Sequence, residues 1–174
     1  MTENLSAMYR LETERLSLVP LTSEELSLLA SDVAEFQTMF GLDFEDEPLS
    51  DDFCGVLLSL SEKMKSDPFN AVFYTVFLLI PKNGKAIVGS VDFKNAPTAA
   101  CETEIGYSLG KAHRGKGYMT EAVSAFSDFA LSELGVRAVT AQTETGNVKS
   151  ENVLMRSGFC VFQNNPKYKL WKKE

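Results

Sequence analysis

The chain has 174 residues, a formal net charge of −7 at pH 7, 44% hydrophobic residues and 24% charged residues. This length suits one domain, expected to span residues 1–174, and is short for two. The composition is typical of a globular protein, no apolar run reaches the roughly 18 residues of a membrane helix, and the negative charge repels phosphate backbones. We therefore expect neither a membrane nor a nucleic-acid partner.

Two further features concern location and metal binding. The opening segment MTENLSAMYRLETERL has no basic stretch followed by an apolar run, so it predicts no signal peptide and a cytoplasmic protein. The cysteines, Cys54, Cys101 and Cys160, are far apart and form no CxxC or Cys/His cluster. This spacing argues against a disulfide framework and a zinc site, so we expect buried or incidental thiols and no metal.

The first part of the chain predicts a strand followed by two helices. Residues 13–21 alternate apolar with other residues as far as Pro20, which favours a strand. Residues 22–36 combine a Thr or Ser cap, carboxylates in the first turn and apolar residues at helical intervals, which predicts a helix. A second helix is expected within residues 51–65. Its apolar face would be formed by Phe53, Val56, Leu57, Leu60 and Met64.

The middle of the chain predicts three antiparallel strands. Residues 71–80 are rich in β-branched and aromatic side chains, and Asn83-Gly84 is a turn signal before residues 86–93. After another turn, residues 101–109 read as the third strand of this run.

The last third alternates strands and helices. A helix is predicted over residues 117–134 with Gly135 as its left-handed stop, then a strand over 136–143, a helix over 147–159 ended by Gly158, and a final hairpin. The buried face of the first of these helices would be formed by Met119, Ala122, Val123, Phe126, Phe129, Ala130 and Leu134. The order of elements predicts a mixed α+β fold.

The segment AHRGKGYMTEA, residues 112–122, groups cations and glycines where a strand gives way to a helix. The first N–H groups of a helix have no intrahelical partner and carry partial positive charge. Gly115 and Gly117 let the main chain approach a phosphate without an intervening Cβ. The segment therefore predicts a phosphate site, with a solvated basic turn as the plainer alternative.

Two nucleotide motifs fit this segment poorly. Residues 110–117 approach the pattern GxxxxGK[ST], but Gly117 stands where a metal-binding hydroxyl is required, and no apolar strand ending in Asp follows. A dinucleotide fingerprint would need glycine where Thr120 stands and an acidic residue after the next strand, which residues 136–143 lack.

The segment EIGYSLGKAHRGKGYMTEA closely resembles the acetyl-coenzyme-A signature of the GNAT N-acetyltransferases, in particular the branch similar to the ribosomal-protein alanine acetyltransferases RimJ and RimL. The resemblance covers residues 11–159 and includes LETERLSLVPL, IVGSVDF and GNVKSENVLMRSGF in the family's order. The family pattern Arg/Gln-x-x-Gly-x-Gly/Ala maps onto Arg114, Gly117 and Met119, and Met119 departs from the small residue expected. The resemblance implies the GNAT fold, a central, mostly antiparallel twisted sheet flanked by helices.

The resemblance also implies where coenzyme A binds. The strand that carries EIGYSL and the strand over residues 136–143 would separate and hold the pantetheine arm between them as if it were an extra strand. The implied coenzyme-binding residues are Tyr107, Ser108, Leu109, Arg114, Gly115, Lys116, Gly117, Tyr118, Met119, Thr120, Asn147 and Ser150.

Catalytic roles follow from the same resemblance. Ser150 matches a serine that the RimJ/RimL-like enzymes place beside the coenzyme sulfur, and the alternative is a capping serine, since Asn147 and Ser150 are both good capping types. Glu104 resembles the glutamate that several members use as the base, with Glu102 on the same strand face; the alternative for each is an exposed strand glutamate. His113, at the phosphate end, is expected to be a solvent-facing turn residue.

The expected activity is transfer of an acetyl group from acetyl-coenzyme A to a primary amine, either a protein N-terminus or a small molecule. The alternative is a non-catalytic acyl-coenzyme-A-binding module on the same fold. The oligomeric state, monomer or homodimer, is not fixed by any sequence feature.

The acceptor site is expected to be acidic. Between Leu16 and Glu62 there is no Lys or Arg, and in similar proteins this region forms the wall of the acceptor site. An acidic wall would favour a cationic acceptor; the alternative is a solvated acidic surface that only aids solubility. The acidic residues are Glu24, Glu25, Asp32, Glu35, Asp43, Glu45, Asp46, Glu47, Asp51, Asp52 and Glu62.

Overall fold

The computed structural model describes residues 5–174. Its helices are α1 (Leu5–Tyr9), α2 (Ser23–Ser31), α3 (Val33–Phe40), α4 (Asp51–Ser66), α5 (Tyr118–Glu133) and α6 (Val148–Arg156), and Pro68–Tyr74 and Lys111–His113 are 3-10 segments. Its strands are β1 (Leu11–Glu12), β2 (Leu16–Pro20), β3 (Asp43–Phe44), β4 (Val76–Pro81), β5 (Ala86–Ile87), β6 (Gly89–Phe93), β7 (Glu102–Leu109), β8 (Ala138–Glu144), β9 (Cys160–Asn164) and β10 (Tyr168–Lys173). Among the helices of these residues, none has the length and apolar character needed to cross a membrane.

An eight-stranded sheet organises the chain, in the order β1-β2-β4-β6-β7-β8-β10-β9. Its neighbours pair antiparallel except β7 and β8, which run parallel. The parallel pairing joins Glu102–Glu104 only to residues 138–140, although both strands continue beyond it. The sheet therefore opens between the far ends of β7 and β8.

The central strand β4 is covered on both faces, because its alternate side chains enter two different cores. Phe77 packs against Phe126 of α5 with ring centroids 4.9 Å apart. Leu78 belongs to the second core, which α2, α3 and α4 cover with Leu26, Phe36 and other apolar residues. Burial of both faces explains why residues 76–80 read as a continuous apolar run.

The fold confirms the mixed α+β class, the antiparallel run through residue 109, the two C-terminal helices and the final hairpin. The predicted stops at Gly135 and Gly158 have φ of 68° and 88°. The capping prediction at Thr22 is also confirmed, since Thr22 Oγ1 accepts from Glu25 N at 3.2 Å and Glu25 Oε2 accepts from Thr22 N at 2.7 Å.

Three expectations need correction. The helix predicted over residues 22–36 is two helices, because Asp32 adopts an extended backbone and its carboxylate caps α3 through Glu35 N. Residues 71–74 belong to a 3-10 segment that begins at a proline, so the predicted strand starts at Val76. Val56 is 48% exposed because it lies at the edge of the apolar face of α4.

Candidate active site

A cavity of about 550 Å³ lies beside the end of β7, beyond the point where β7 stops pairing with β8. Its walls come from the end of β7, the loop into α5, the first turn of α5 and one side of α6 along its whole length. The lining residues are Tyr107, Ser108, Leu109, Arg114, Gly115, Gly117, Met119, Thr120, Asn147, Lys149, Ser150, Asn152, Val153 and Arg156. These include ten of the twelve residues predicted to bind the coenzyme.

The β7 wall presents free backbone to the cavity. Within residues 5–174, the β7–β8 ladder ends at Glu104, while Ser108 and Leu109 still pair with β6 on the opposite edge. Main-chain groups on the β8 side of Tyr107–Leu109 therefore have no β8 partner and can pair with an extended ligand in the manner of an added strand, although the Leu109 carbonyl already accepts from Arg114 Nε.

The loop before α5 lies at one end of the cavity and has a backbone geometry suited to an anion. Gly115 and Gly117 have φ of 78° and 82°, a conformation that L side chains adopt only with strain. Gly117 is the N-cap of α5 and has no side-chain capping hydrogen bond. The first N–H groups of α5 thus remain open to a ligand, with the positive end of the helix dipole behind them.

The charge of the cavity is positive in an otherwise acidic protein. Its lining contains Arg114, Lys149 and Arg156 and no carboxylate. Lys149 and Arg156 were not predicted, and neither were Asn152 and Val153. Counted from Lys149, the other three follow at three, four and seven residues, which places all four on one face of α6. This spacing could have identified them as lining residues once Ser150 was known to face the cavity.

Two predicted coenzyme residues do not line this cavity. Lys116 and Tyr118 border a separate cleft of about 340 Å³ on the other side of the loop. The main chain between Gly115 and Gly117 turns so that the glycines face the cavity and the intervening side chain faces away.

The loop before α5 also contacts an acidic segment, residues 45–47. Arg114 donates through Nε to the Leu109 carbonyl at 3.0 Å and through Nη2 to Glu47 Oε1 at 2.8 Å. His113 Nε2 lies 2.6 Å from Glu45 Oε2, and the His113 side chain is only 14% exposed. The expectation of a solvent-facing His113 was therefore wrong, because the ring packs against a carboxylate that comes from far away in the sequence.

Asp46, the middle residue of this segment, faces the end of β7. Its carboxylate accepts hydrogen bonds from Ser108 Oγ and from Glu47 N, both at 2.7 Å. Burial raises the pKa of Asp46, and the hydrogen bonds from Ser108 and Glu47 only partly oppose this shift. Asp46 is therefore a half-buried carboxyl in contact with a residue of the cavity wall, and its position could not be read from the sequence.

Ser150 and Asn147 lie together at the N-terminus of α6. Asn147 is the N-cap, and its Oδ1 accepts a hydrogen bond from Ser150 N at 3.3 Å. The capping function therefore belongs to Asn147, and among the side-chain hydrogen bonds of residues 5–174 none uses the Ser150 hydroxyl. That hydroxyl is available to a group in the cavity.

Tyr107 places a second hydroxyl at this end of the cavity. Its O–H donates to the Ser150 carbonyl oxygen at 3.3 Å. Burial raises the pKa of Tyr107 to about 12, with the Ser150 hydrogen bond acting in the opposite direction. The tyrosine thus stays protonated at neutral pH and can act as a hydrogen-bond donor.

The two predicted glutamates differ in their contacts. Glu102 forms an ion pair with Lys172 at 2.7 Å. Glu104 is half-buried at the last paired position of β7 and β8, next to the opening of the sheet, and is not among the lining residues of the cavity. Two residues of β7, Ile105 and Gly106, lie between it and Tyr107.

This arrangement, a sheet opened between two parallel strands with a glycine-rich loop and a helix N-terminus at its end, matches one family of acyl-transferring domains. The sequence pattern that defines the acetyltransferase (GNAT) domain matches residues 15–160. The chain therefore belongs to the GNAT acetyltransferase family, and the resemblance seen in its motifs is confirmed.

Individual relatives agree with this assignment. The chain is 34% identical over 95 residues to the uncharacterized N-acetyltransferase YjdG of Bacillus subtilis (strain 168), a match that spans 55% of this chain and 56% of that protein. It is 28% identical over 155 residues to the uncharacterized N-acetyltransferase p20 of Bacillus licheniformis, covering 87% of this chain and 83% of that protein.

Solved structures share the fold over nearly the whole chain. The ribosomal-protein-S5-alanine acetyltransferase of Vibrio fischeri superposes with a TM-score of 0.65 and 21% identity, covering 94% of this chain and 95% of that one. The microcin C7 self-immunity acetyltransferase MccE, solved with acetyl-CoA and AMP, gives a TM-score of 0.60 and 21% identity, covering 92% and 93%.

Proposed function

We propose that this chain transfers the acetyl group of acetyl-coenzyme A directly to a primary amine. The observation that carries the proposal is the cavity beside the end of β7, with strand backbone that β8 does not pair along one wall and a glycine-containing loop suited to an anion at one end. Its shape and charge suit a long ligand that has a peptide-like arm and a phosphate-rich end. That MccE was solved with acetyl-CoA supports the same ligand for this fold.

The coenzyme would bind in one direction. Its phosphates would contact the N–H groups around Gly115 and Gly117 with Arg114 beside them, and its amide-containing arm would run along Tyr107–Leu109. The thioester would then lie towards Ser150 and the start of α6. Lys149 and Arg156 add positive charge along the opposite wall.

Acetyl transfer requires two proton movements. The amine nitrogen forms a bond to the acetyl carbon and loses a proton, while the carbon–sulfur bond breaks and the thiolate needs a proton or a hydrogen bond. We assign the donor role to the unengaged hydroxyl of Ser150. Tyr107 becomes a second donor only when its O–H leaves the Ser150 carbonyl oxygen, to which it donates in this structure. The positive end of the α6 dipole favours the departing thiolate.

For the base, Glu104 remains our proposal, acting through water because it does not line the cavity. A lysine-like amine has a pKa of roughly 10.4 and is mostly protonated at neutral pH, so removal of its proton is part of the reaction. Asp46 is the competing candidate for the base. Its carboxylate accepts a hydrogen bond from Ser108 of β7, and burial raises its pKa.

The preference for a cationic acceptor stays a prediction, and two of the acidic residues on which it was based no longer support it. Glu45 and Glu47 contact His113 and Arg114 of the loop before α5, so their carboxylates are already engaged. Steering of a cationic amine would depend on the other carboxylates, and it predicts that kcat/KM for such an amine falls with salt, over a Debye length of about 8–10 Å. A flat salt dependence would contradict it.

The function is tested by following thiol release and acetylated product by mass spectrometry with acetyl-coenzyme A and a panel of amines. The panel includes a peptide with a free N-terminus, the same peptide already acetylated, a polyamine and an anionic amino acid. We expect turnover with at least one free amine and none with the blocked peptide. Coenzyme binding without turnover across the panel would favour the non-catalytic module.

A further inference from the structure

Arg15 contacts the loop before α5 from outside the cavity. It lies in the turn between β1 and β2, and its Nη1 donates to the Lys116 carbonyl oxygen at 2.8 Å. Its guanidinium carbon is 5.0 Å from the centre of the Tyr118 ring. Arg15 therefore joins the start of the sheet to the loop that begins α5.

Glu121, in the first turn of α5, completes this connection. Its carboxylate accepts from Thr13 Oγ1 at 2.6 Å, from Arg15 N at 2.8 Å and from Arg15 Nε at 2.6 Å. Burial acts to raise the pKa of Glu121, but the hydrogen bonds from Thr13 and Arg15 together lower it. The carboxylate is thus held ionised between the turn and the helix.

The hydrogen bond from Arg15 to the Lys116 carbonyl fixes the direction of the Lys116–Gly117 peptide group. A trans peptide is planar, with its C=O and N–H pointing in opposite directions, and no cis peptide occurs in the described residues. Because the Lys116 carbonyl is directed to Arg15, the N–H of Gly117 in the same peptide points the other way. Gly117 lines the cavity and Arg15 does not.

We propose that Arg15 is a positioning residue for coenzyme binding: it orients the Lys116–Gly117 peptide and the first turn of α5 so that their N–H groups face the phosphates. The inference rests on the proposed function, because it concerns the phosphate end of the same cavity. The position of Arg15 is a second reason for glycine at residue 117, because a Cβ there would lie 3.1 Å from Arg15 Nη2.

The test compares Arg15→Gln with Arg10→Gln, a matched control. Arg10 lies in the same N-terminal region and pairs with Glu12 at 2.7 Å and with Ser17, away from the loop. Titration calorimetry with coenzyme A should show affinity weakened about tenfold by Arg15→Gln, the size expected for one hydrogen bond to a charged group, and unchanged by Arg10→Gln.

A second readout separates positioning from general damage. S-acetylpantetheine lacks the nucleotide and its phosphates, so its kcat/KM should differ less than twofold between Arg15→Gln and the wild type. Equal losses with both donors, or unchanged coenzyme affinity, would overturn the proposal. If Arg15→Gln does not fold, Arg15→Lys keeps the charge but cannot hold Glu121 and Lys116 together, and the same loss is expected. Failure of the wild-type protein to bind coenzyme A would instead contradict the proposed function.

Discussion

The Glu47 carboxylate lies 2.8 Å from the Arg114 guanidinium, so the cation predicted to hold the coenzyme phosphates is already paired with an acid from another part of the chain. Lys111 lies 3.9 Å from the same carboxylate. In the proposed binding mode, the coenzyme phosphates come close to this pair.

Glu47→Gln should therefore tighten coenzyme A binding. Removing the carboxylate abolishes its repulsion of the phosphates, and a half-exposed pair of this kind is worth up to about 1 kcal/mol, which corresponds to a change of about two- to fivefold in Kd. Calorimetry at two salt concentrations measures it. Glu62→Gln, which breaks the exposed Glu62–Lys65 pair on α4, is the control. Weaker binding in Glu47→Gln would show that Glu47 orients Arg114 instead of competing for it.

Gly117→Val should abolish the increase in thermal midpoint that coenzyme A gives the wild type by binding only the native state. The residue has φ of 82° and lines the cavity. Gly135→Val is the matched control, because Gly135 has φ of 68° and lies at the other end of α5. Both variants should lose roughly 1–2 kcal/mol of stability from backbone strain. Only Gly117→Val should lose the coenzyme-induced shift, and a retained shift would remove the phosphate-loop assignment.

The structure of this chain was predictable where residues close together in the sequence determine it. The strand-to-helix step at Arg114–Gly117 combines glycine, cation and helix periodicity within a few residues, and the structure places it at the cavity. Contacts between distant segments were not predictable. Nothing in the local pattern of Glu45–Glu47 indicates that it binds His113 and Arg114, since such pairs depend on tertiary packing.

Which residues near the motif line the cavity was harder to predict than where the motif lies in the fold. Lys116 and Tyr118 lie within the motif, yet they border the cleft on the other side of the loop and not the cavity. Conversely, Lys149 and Arg156 line the cavity although no motif contains them, because one face of α6 is directed to it.

Ser150→Ala should lower kcat by at most about 100-fold and leave the Kd for coenzyme A unchanged, because the hydroxyl acts on the departing thiolate and not on binding. Ser132→Ala, at an exposed position of α5, is the control. Steady-state kinetics with calorimetry give both quantities. Should Ser150→Ala keep wild-type kcat while Tyr107→Phe loses it, the donor would be Tyr107.

The identity of the base should appear in the pH dependence of kcat/KM. A base must be deprotonated to act, so activity rises with pH through its pKa. We expect Glu104→Gln to shift this rising limb to higher pH or remove it, while Asp46→Asn leaves its position unchanged. The reverse result would transfer the role to Asp46, and identical profiles in both variants would point to water or the substrate.

Asp46 and Glu121 should affect stability with opposite pH dependence. The pKa of Asp46 is raised in the folded state, so the native protein holds its proton more tightly and stability falls as pH rises above the ordinary pKa of the side chain. The pKa of Glu121 is lowered, so its contribution is present above the ordinary pKa of Glu and is lost as pH falls through the lowered value.

These signs predict the behaviour of two matched variants. Asp46→Asn should raise the free energy of unfolding relative to wild type more at neutral than at acidic pH, and Glu121→Gln should lower it at neutral pH with a smaller loss in acid. Denaturant melts across the acidic range measure both. A pH-independent difference in either variant would contradict the linkage.

A crystal structure with bound coenzyme A tests the central claim most directly. We predict the pantetheine arm in the gap between β7 and β8, hydrogen-bonded to the main chain of Tyr107–Leu109, with the phosphates at the N–H groups of Gly115 and Gly117 and the sulfur on the side of Ser150. Coenzyme bound outside this gap, or phosphates in the cleft bordered by Lys116 and Tyr118, would contradict it.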